Sequence, residues 1–210
     1  VLRFAANKTL SRPSFGDVSP RVSINRGDEE VSIGNPDLNP YRSTNLDLSF
    51  EKYIGSTGLV SLGVFNKSID DYIVQTLSTT DAEFPGLQVT RSINGDTAKV
   101  RGAEFNWQQT LDFLPEGWNG LLVGASATAL DSDFDPGLSN RAGDDFMLPR
   151  SSKRIYSGHL GYEKYGFSAR VAAVYRSEYL DTIGQSRAYD IYVAPHTQLA
   201  VSYTHLRAHE

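Results

Sequence analysis

The sequence predicts an all-β protein, an antiparallel up-and-down β-barrel that crosses a membrane with its strands. Three observations predict it. Apolar and polar residues alternate with a period of two through segment after segment, while the 3.6-residue period of a helix is hard to find. The connections between those segments alternate short and long without exception. Aromatic residues gather at the short connections.

The alternating segments can be taken in order. Leu2, Phe4 and Ala6 alternate with Arg3, Ala5 and Asn7. Leu46, Leu48 and Phe50 then oppose Asn45, Asp47, Ser49 and Glu51. Val60, Leu62 and Val64 follow, and after them Ala103, Phe105 and Trp107 against Gly102, Glu104, Asn106 and Gln108. Leu121, Val123, Ala125, Ala127 and Ala129 form one face of the next. Tyr156, Leu160 and Tyr162 oppose Ser157, His159 and Glu163. Phe167, Ala169, Val171, Ala173 and Tyr175 oppose Ser168, Arg170 and Arg176. Leu199, Val201 and Tyr203 come last, giving about eight strands.

Short links lie at 55–57, 112–119 (DFLPEGWN) and 164–166; long polar links lie at 10–44, 70–96, 132–153 and 177–196. A soluble sandwich gives no reason for this alternation. An outer-membrane barrel does, because its short turns face the periplasm and its long loops face outward. Tyr53 precedes the first short turn, Phe113 and Trp118 flank the second, and Tyr162, Tyr165 and Phe167 surround the third. Amphipathic rings prefer the membrane–water interface, so these residues read as a periplasmic girdle. Tyr and Phe also favour strands in general, which is the blander account.

Composition sets further bounds. The 210 residues suffice for one sizeable domain, and 40 % hydrophobic with 21 % charged residues excludes a disordered chain. Mean hydropathy is only −0.35. Lipid reconciles the two values, because only the outward face of each strand must be apolar and ~9–11 residues cross the bilayer. No stretch approaches the ~18 consecutive apolar residues of a membrane-spanning helix. The absence of Cys excludes disulfides, thiolate metal sites and a Cys nucleophile. A net charge of −5 without a basic run argues against nucleic acid as a partner.

The segments NKTLSRPSFGDVSP (7–20) and GNPDLNPYRSTNLDLSFEKY (34–53) resemble the C-terminal half of the barrel of TonB-dependent outer-membrane receptors. In that family a GNP-x-L-x-P turn leads into an S-x-N-x-D-L-x-x-E-x-Y strand. VFNKSIDDYIVQ (64–75), NGDTAKVRGAEFNWQQTLDFLP (94–115) and GYEKYGFSARVAAVYRSEYLD (161–181) are similar to the same family, most of all to its Xanthomonas- and Caulobacter-like branch. The resemblance covers the chain to Tyr203 and implies a part of a barrel of about 22 strands. It also implies a plug domain and a TonB-binding segment that this chain does not carry. Asn35-Pro36 and Asn39-Pro40 then end an extracellular loop, since Pro pushes the residue before it out of the helical region. Leu46, Leu48 and Phe50 are expected to face lipid, and Asn45, Asp47, Ser49 and Glu51 the lumen. Residues 1–203 are therefore expected to be a partial receptor barrel. The closing stretch 204–210 (THLRAHE), with His205 and His209, resembles translated sequencing adaptor and is expected to be non-native.

No catalytic, cofactor or metal residues are assigned. Asp131, Asp133 and Asp135 with Gly137 resemble the opening of a calcium loop, but Ala142 stands where such a loop needs its closing Glu, and Pro136 where it needs Gly. Asp144 and Asp145 are the further oxygen donors nearby; the plainer account is a solvated acidic loop. Asp70 and Asp71 are adjacent on a strand end and so point to opposite faces, which suits them poorly to shared acid–base work. His159 is a lone lumen-side histidine and His196 sits at a loop–strand junction. No nucleophile elbow, H-E-x-x-H or P-loop occurs. The long loops offer Tyr72, Phe84, Arg91, Phe134, Arg141, Phe146, Arg150, Tyr179, Arg187 and Tyr189 as aromatic and cationic groups. Each is as readily explained by loop packing as by ligand contact.

The resemblance implies a non-enzymatic receptor in the Gram-negative outer membrane. Its partners would be membrane lipid, TonB through the plug region, and a small nutrient: an iron–siderophore complex, a cobalamin or an oligosaccharide. Three rivals make different demands. A passive porin or autotransporter-type barrel has no plug. A barrel enzyme needs a nucleophile–base pair at the mouth. A soluble carbohydrate-binding sandwich leaves the short–long alternation unexplained.

Overall fold

A computed structural model describes residues 1–205 of the chain. In chain order these form β1 (Leu2–Ser11), α1 (Phe15–Val18), β2 (Val22–Asn25), β3 (Glu30–Ile33), β4 (Tyr41–Ile54), β5 (Gly58–Asp70), β6 (Ile73–Ser78), β7 (Gln88–Asn94), β8 (Thr97–Thr110), β9 (Leu121–Asp135), β10 (Arg154–Lys164), β11 (Phe167–Arg176), β12 (Tyr179–Gly184), β13 (Ile191–Val193) and β14 (His196–His205). The eight long strands make one sheet in the order β1-β4-β5-β8-β9-β10-β11-β14, every neighbour antiparallel. This is the up-and-down wall expected from the alternation. Its three short connections lie on one edge and its four long ones on the other.

Register turns the separate alternations into one surface. Phe4 pairs with Leu48, Leu48 with Val64, Val64 with Ala103 and Ala103 with Ala129. Further round, Ala127 pairs with Tyr156, Leu160 with Val171 and Val171 with Val201. Directly paired residues share a face. All of these side chains therefore lie on one side of the wall, as a continuous apolar belt. Leu46, Leu48, Phe50, Leu62 and Val64 remain exposed on it. Where Ala103, Ala127 and Ala129 leave room between Phe105 and Tyr156, the belt carries a shallow apolar groove of roughly 440 Å³. No helix among the described residues is long and apolar enough to cross a membrane; the belt belongs to strands.

The opposite face is polar. Ser43 and Asn45 are buried there, and the Asn45 amide donates to Asn7 Oδ1 at 2.8 Å. The Ser43 hydroxyl donates to Asn45 Oδ1 at 2.6 Å, and the Arg3 guanidinium pairs with Glu51. His159 lies on this side over Gly124, where a Cβ would overlap the imidazole. The lipid and lumen assignments for Asn45 to Glu51 thus follow the register.

The shortest turn has a readable cause. Tyr165 and Gly166 both take positive φ, 55° and 71°, and Lys164 pairs with Phe167 across them. Positive φ at both central residues matches the right-handed twist of the flanking strands. Tyr53, Phe113, Trp118 and Tyr165 stand exposed along this edge.

The long links depart from expectation. They are not plain loops: β2, β3, β6, β7, β12 and β13 assemble a second sheet in the order β13-β12-β6-β7-β3-β2. These strands are three to seven residues long. Such lengths are too short to display a convincing period alone, and they pair partly in parallel, β3 with β7 and β12 with β6. One face of this rim sheet, through Val74, Ile93 and Ile183, packs with Leu180 and Phe146 on Ala98, Phe134 and Ile69. Ala98 and Phe134 pair with each other on the lumen side of the wall. The rim sheet thus folds over the inner side of the outer mouth.

At the C-terminus, Thr204 pairs with Ser168 and His205 with Phe167, so β14 runs on past Tyr203. The remainder of the stretch expected to be non-native, 206–210, with His209, lies outside the described residues.

Candidate ligand-binding mouth

Two features build the mouth: a charged clamp that fixes the long connections, and a polar recess on the rim sheet. The clamp centres on Arg141, whose side chain is only 4 % exposed. Its Nε donates to Asp144 at 2.6 Å, and its two terminal nitrogens donate to the two Asp190 oxygens at 3.0 and 2.9 Å. One of them also donates to the Gly184 carbonyl at 2.7 Å, and the guanidinium lies 4.7 Å from the Phe146 ring centre. Arg187 approaches the other Asp144 oxygen. These bonds join the 136–153 connection to the β12–β13 hairpin. Hydrogen bonds from Arg187, and then from Arg141, hold the Asp144 carboxyl down at about 2. The carboxylates, Asp190 first, push Arg141 up. A planar fork facing two carboxylates is the geometry that Arg serves and Lys cannot.

The recess lies between α1 and the polar face of the rim sheet. Gln75 pairs with Ser92, and Ser32 with Thr90, so these four share the face opposite Val74 and Ile93. Ser14 caps α1 and accepts from the Asp17 backbone N–H at 3.2 Å. The Ser92 hydroxyl donates to Asp17 Oδ1 at 2.8 Å, docking the turn onto β7. The Ser14 hydroxyl donates to Asp17 Oδ2 at 2.6 Å. That bond, followed by the one from Ser92, holds the Asp17 carboxyl below its usual range against the opposing effect of burial. The resulting hollow is roughly 260 Å³, and a neighbour of roughly 150 Å³ shares Asp17, Gln75 and Ser92 with it. Tyr72, Arg150 and Asp181 border the second. A larger hollow, of roughly 480 Å³, opens beside Thr97, Lys99, Asp133 and Asp135. Their register places those four on the outward side of the wall, away from any path through it.

Of the ten aromatic and cationic loop residues, Tyr72, Phe134, Phe146, Arg141 and Arg187 come together, as rim core and clamp rather than as a set of open ligand contacts. Phe134 (1 % exposed) and Phe146 are core, and Arg141 is the buried clamp. Tyr72 packs its ring 5.8 Å from Tyr41 and 5.5 Å from Phe134. Arg91 pairs with Asp81 and Glu83, and Arg150 with Asp181 at 3.0 Å. Tyr179 lies under Arg176, and Phe84 is half-buried. Tyr189 is exposed but packs against Gly184.

Asp133, Asp135, Asp144 and Asp145 border the hollow of roughly 480 Å³ without closing on a common point. Asp131 pairs with Arg101 at 2.7 Å, and Asp135 accepts from the Gly137 N–H at 2.9 Å. Among the described residues no three His, Cys, Asp or Glu side chains gather as a metal site would require. Asp70 ends β5, and Asp71 turns away with φ 60°.

The sequence reading missed the recess. Two signals were present: the S-x-x-D cap of α1, and the polar alternation of Gln88, Thr90, Ser92 and Asn94 in β7.

Comparison with known proteins settles the family. The description "TonB dependent receptor-like, beta-barrel" matches residues 1–208. The chain belongs to this family. Among solved structures it is similar to the copper transporter OprC, at 15 % identity and TM-score 0.66, over 99 % of this chain and 29 % of that one. It is similar to the ferric enterobactin receptor PfeA from Pseudomonas aeruginosa, at 16 % identity and TM-score 0.62, over 97 % and 30 %. The siderophore receptor PirA from the same organism gives 15 % and 0.63, over 98 % and 33 %. At such identities the likeness speaks for the fold. The chain spans about a third of the length of these receptors or less. No curated protein matches it. For a TonB-dependent receptor barrel, the apolar belt and polar inner face are the lipid and lumen sides of one wall.

Proposed function

We propose that this chain forms part of the wall and outer mouth of an outer-membrane receptor that takes up a scarce nutrient with TonB-delivered energy. The observation that carries the proposal is the in-register apolar belt across eight antiparallel strands, with every long connection on one edge. Family membership supports a receptor over a passive porin or an autotransporter. In this reading the belt contacts lipid, and the inner polar ladder around Asn7, Ser43 and Asn45 faces the plug and the substrate path. The rim sheet meets the incoming ligand. No bond chemistry is assigned to the wall, and nucleic acid is not a partner. The candidate ligands are iron–siderophore complexes, cobalamins and oligosaccharides, and the motifs favour the Xanthomonas- and Caulobacter-like branch.

The test is uptake by the full-length receptor carrying this segment, expressed with and without TonB. The proposal expects the receptor in the outer-membrane fraction and ligand accumulation only when TonB is present. Accumulation independent of TonB contradicts it and returns the porin reading.

A further inference from the structure

We infer that the recess between α1 and the rim sheet binds an uncharged, polyhydroxylated ligand, an oligosaccharide by chemical class. This rests on the receptor reading above and narrows its ligand.

Placement comes first. The apolar face of the rim sheet covers lumen-side residues Ile69, Ala98 and Phe134. Its polar face, with Ser32, Gln75, Thr90 and Ser92, is therefore turned from the wall toward the barrel axis, where a ligand enters. The two hollows together reach the lower part of the ~300–1,000 Å³ range of small-molecule pockets.

Chemistry comes second. Hydroxyl groups, one amide and one carboxylate line the larger hollow. Hydroxyls and amides both donate and accept, as sugar hydroxyls do. Asp17 adds a charged acceptor fixed by Ser14 and Ser92. Among the described residues, the side-chain polar groups of Ser32, Gln75 and Thr90 bond no other side chain, which leaves them for a ligand. The Tyr72 ring borders the smaller hollow as an apolar surface.

Charge comes third. A ferric tris-catecholate is anionic and calls for unmatched cations. The one cation at the recess, Arg150, is matched by Asp181, and the ionised Asp17 adds repulsion. Elsewhere on the rim Arg91, Arg141 and Arg187 each pair with carboxylates, and Arg12, Arg21 and Arg26, which make no ion pair among the described residues, line neither hollow. An uncharged ligand avoids that cost.

The experiment is calorimetric binding to the full-length receptor in detergent. The probes are maltotriose, xylotriose and cellotriose as neutral ligands, and ferric enterobactin as the anionic one. Gln75→Ala and Thr90→Val are the variants, with heat-modifiable gel migration checking that each barrel is folded. The inference expects one trisaccharide to bind and each folded variant to weaken it about tenfold, the scale of one unmade hydrogen bond. Trisaccharide binding unchanged in both variants overturns the site. Absence of trisaccharide binding overturns the ligand class. If ferric enterobactin then binds and is taken up only with TonB, the receptor reading survives that loss. If nothing is taken up in a TonB-dependent way, both readings fall.

Discussion

Arg141 shows how single residues shape the mouth. Burying a guanidinium is costly unless both faces of its fork are satisfied, and here Asp144, Asp190 and the Gly184 carbonyl satisfy them. Arg141→Ala leaves Asp190 buried without its partner. We expect amide exchange in 179–193 to rise at least about tenfold in this variant, with wall amides unchanged. Hydrogen-exchange mass spectrometry of the full-length receptor in detergent reads this directly. Acid should loosen the same region. Asp144 is held at about 2 when folded, and Asp17 and Asp81 are also lowered, whereas an unfolded Asp titrates near ~3.9. Their contribution is present above that unfolded value and is lost as pH falls toward 2. Exchange in the rim, referenced to the wall, should therefore rise between about pH 4 and pH 2 and stay flat between about pH 5 and 7. None of this was legible in the sequence. Arg141 stood out only as one of several loop cations, and nothing local says that two carboxylates from different connections converge on it.

Elements were legible in proportion to their length. The wall strands run for 10 to 15 residues, long enough for alternation to name both the strand and its lipid-facing side. Rim strands such as β13, with three residues, offer no such count, and their pairing spans connections distant in sequence. The short link at 164–166 was legible because two long alternating segments bracket it, and the positive φ of Tyr165 and Gly166 was not. A pair of substitutions tests the face assignment. Leu48 points outward, 42 % exposed, and Asp47 points to the lumen. Leu48→Arg should cost ~2–4 kcal/mol if the site lies near the bilayer midplane, and Asp47→Arg much less. Denaturant titration of the refolded receptor in lipid vesicles compares them. Equal costs would mean that the two faces meet the same environment.

At the scale of the whole molecule, the eight-stranded wall has, among the described residues, two unpaired edges, β1 and β14, and an exposed belt of Leu, Phe and Val. Unpaired strand edges and contiguous apolar surface both drive association in water. The 210-residue chain alone should therefore aggregate in detergent-free buffer; a monomer by light scattering that unfolds cooperatively would contradict this. The central claim is the orientation of the wall in an outer membrane, and cysteine labelling tests it directly, since this 210-residue segment carries no Cys and any Cys elsewhere in the receptor can be replaced by Ser beforehand. We would place single cysteines in the full-length receptor at Ala82 and Ala188 on the rim, and at Ser56 and Glu116 in the short turns, all exposed positions. Intact cells would be treated with a membrane-impermeant maleimide. The account predicts labelling at Ala82 and Ala188 in intact cells, and at Ser56 and Glu116 only after the outer membrane is permeabilised. Equal labelling at all four sites in intact cells, or the reverse pattern, would contradict it.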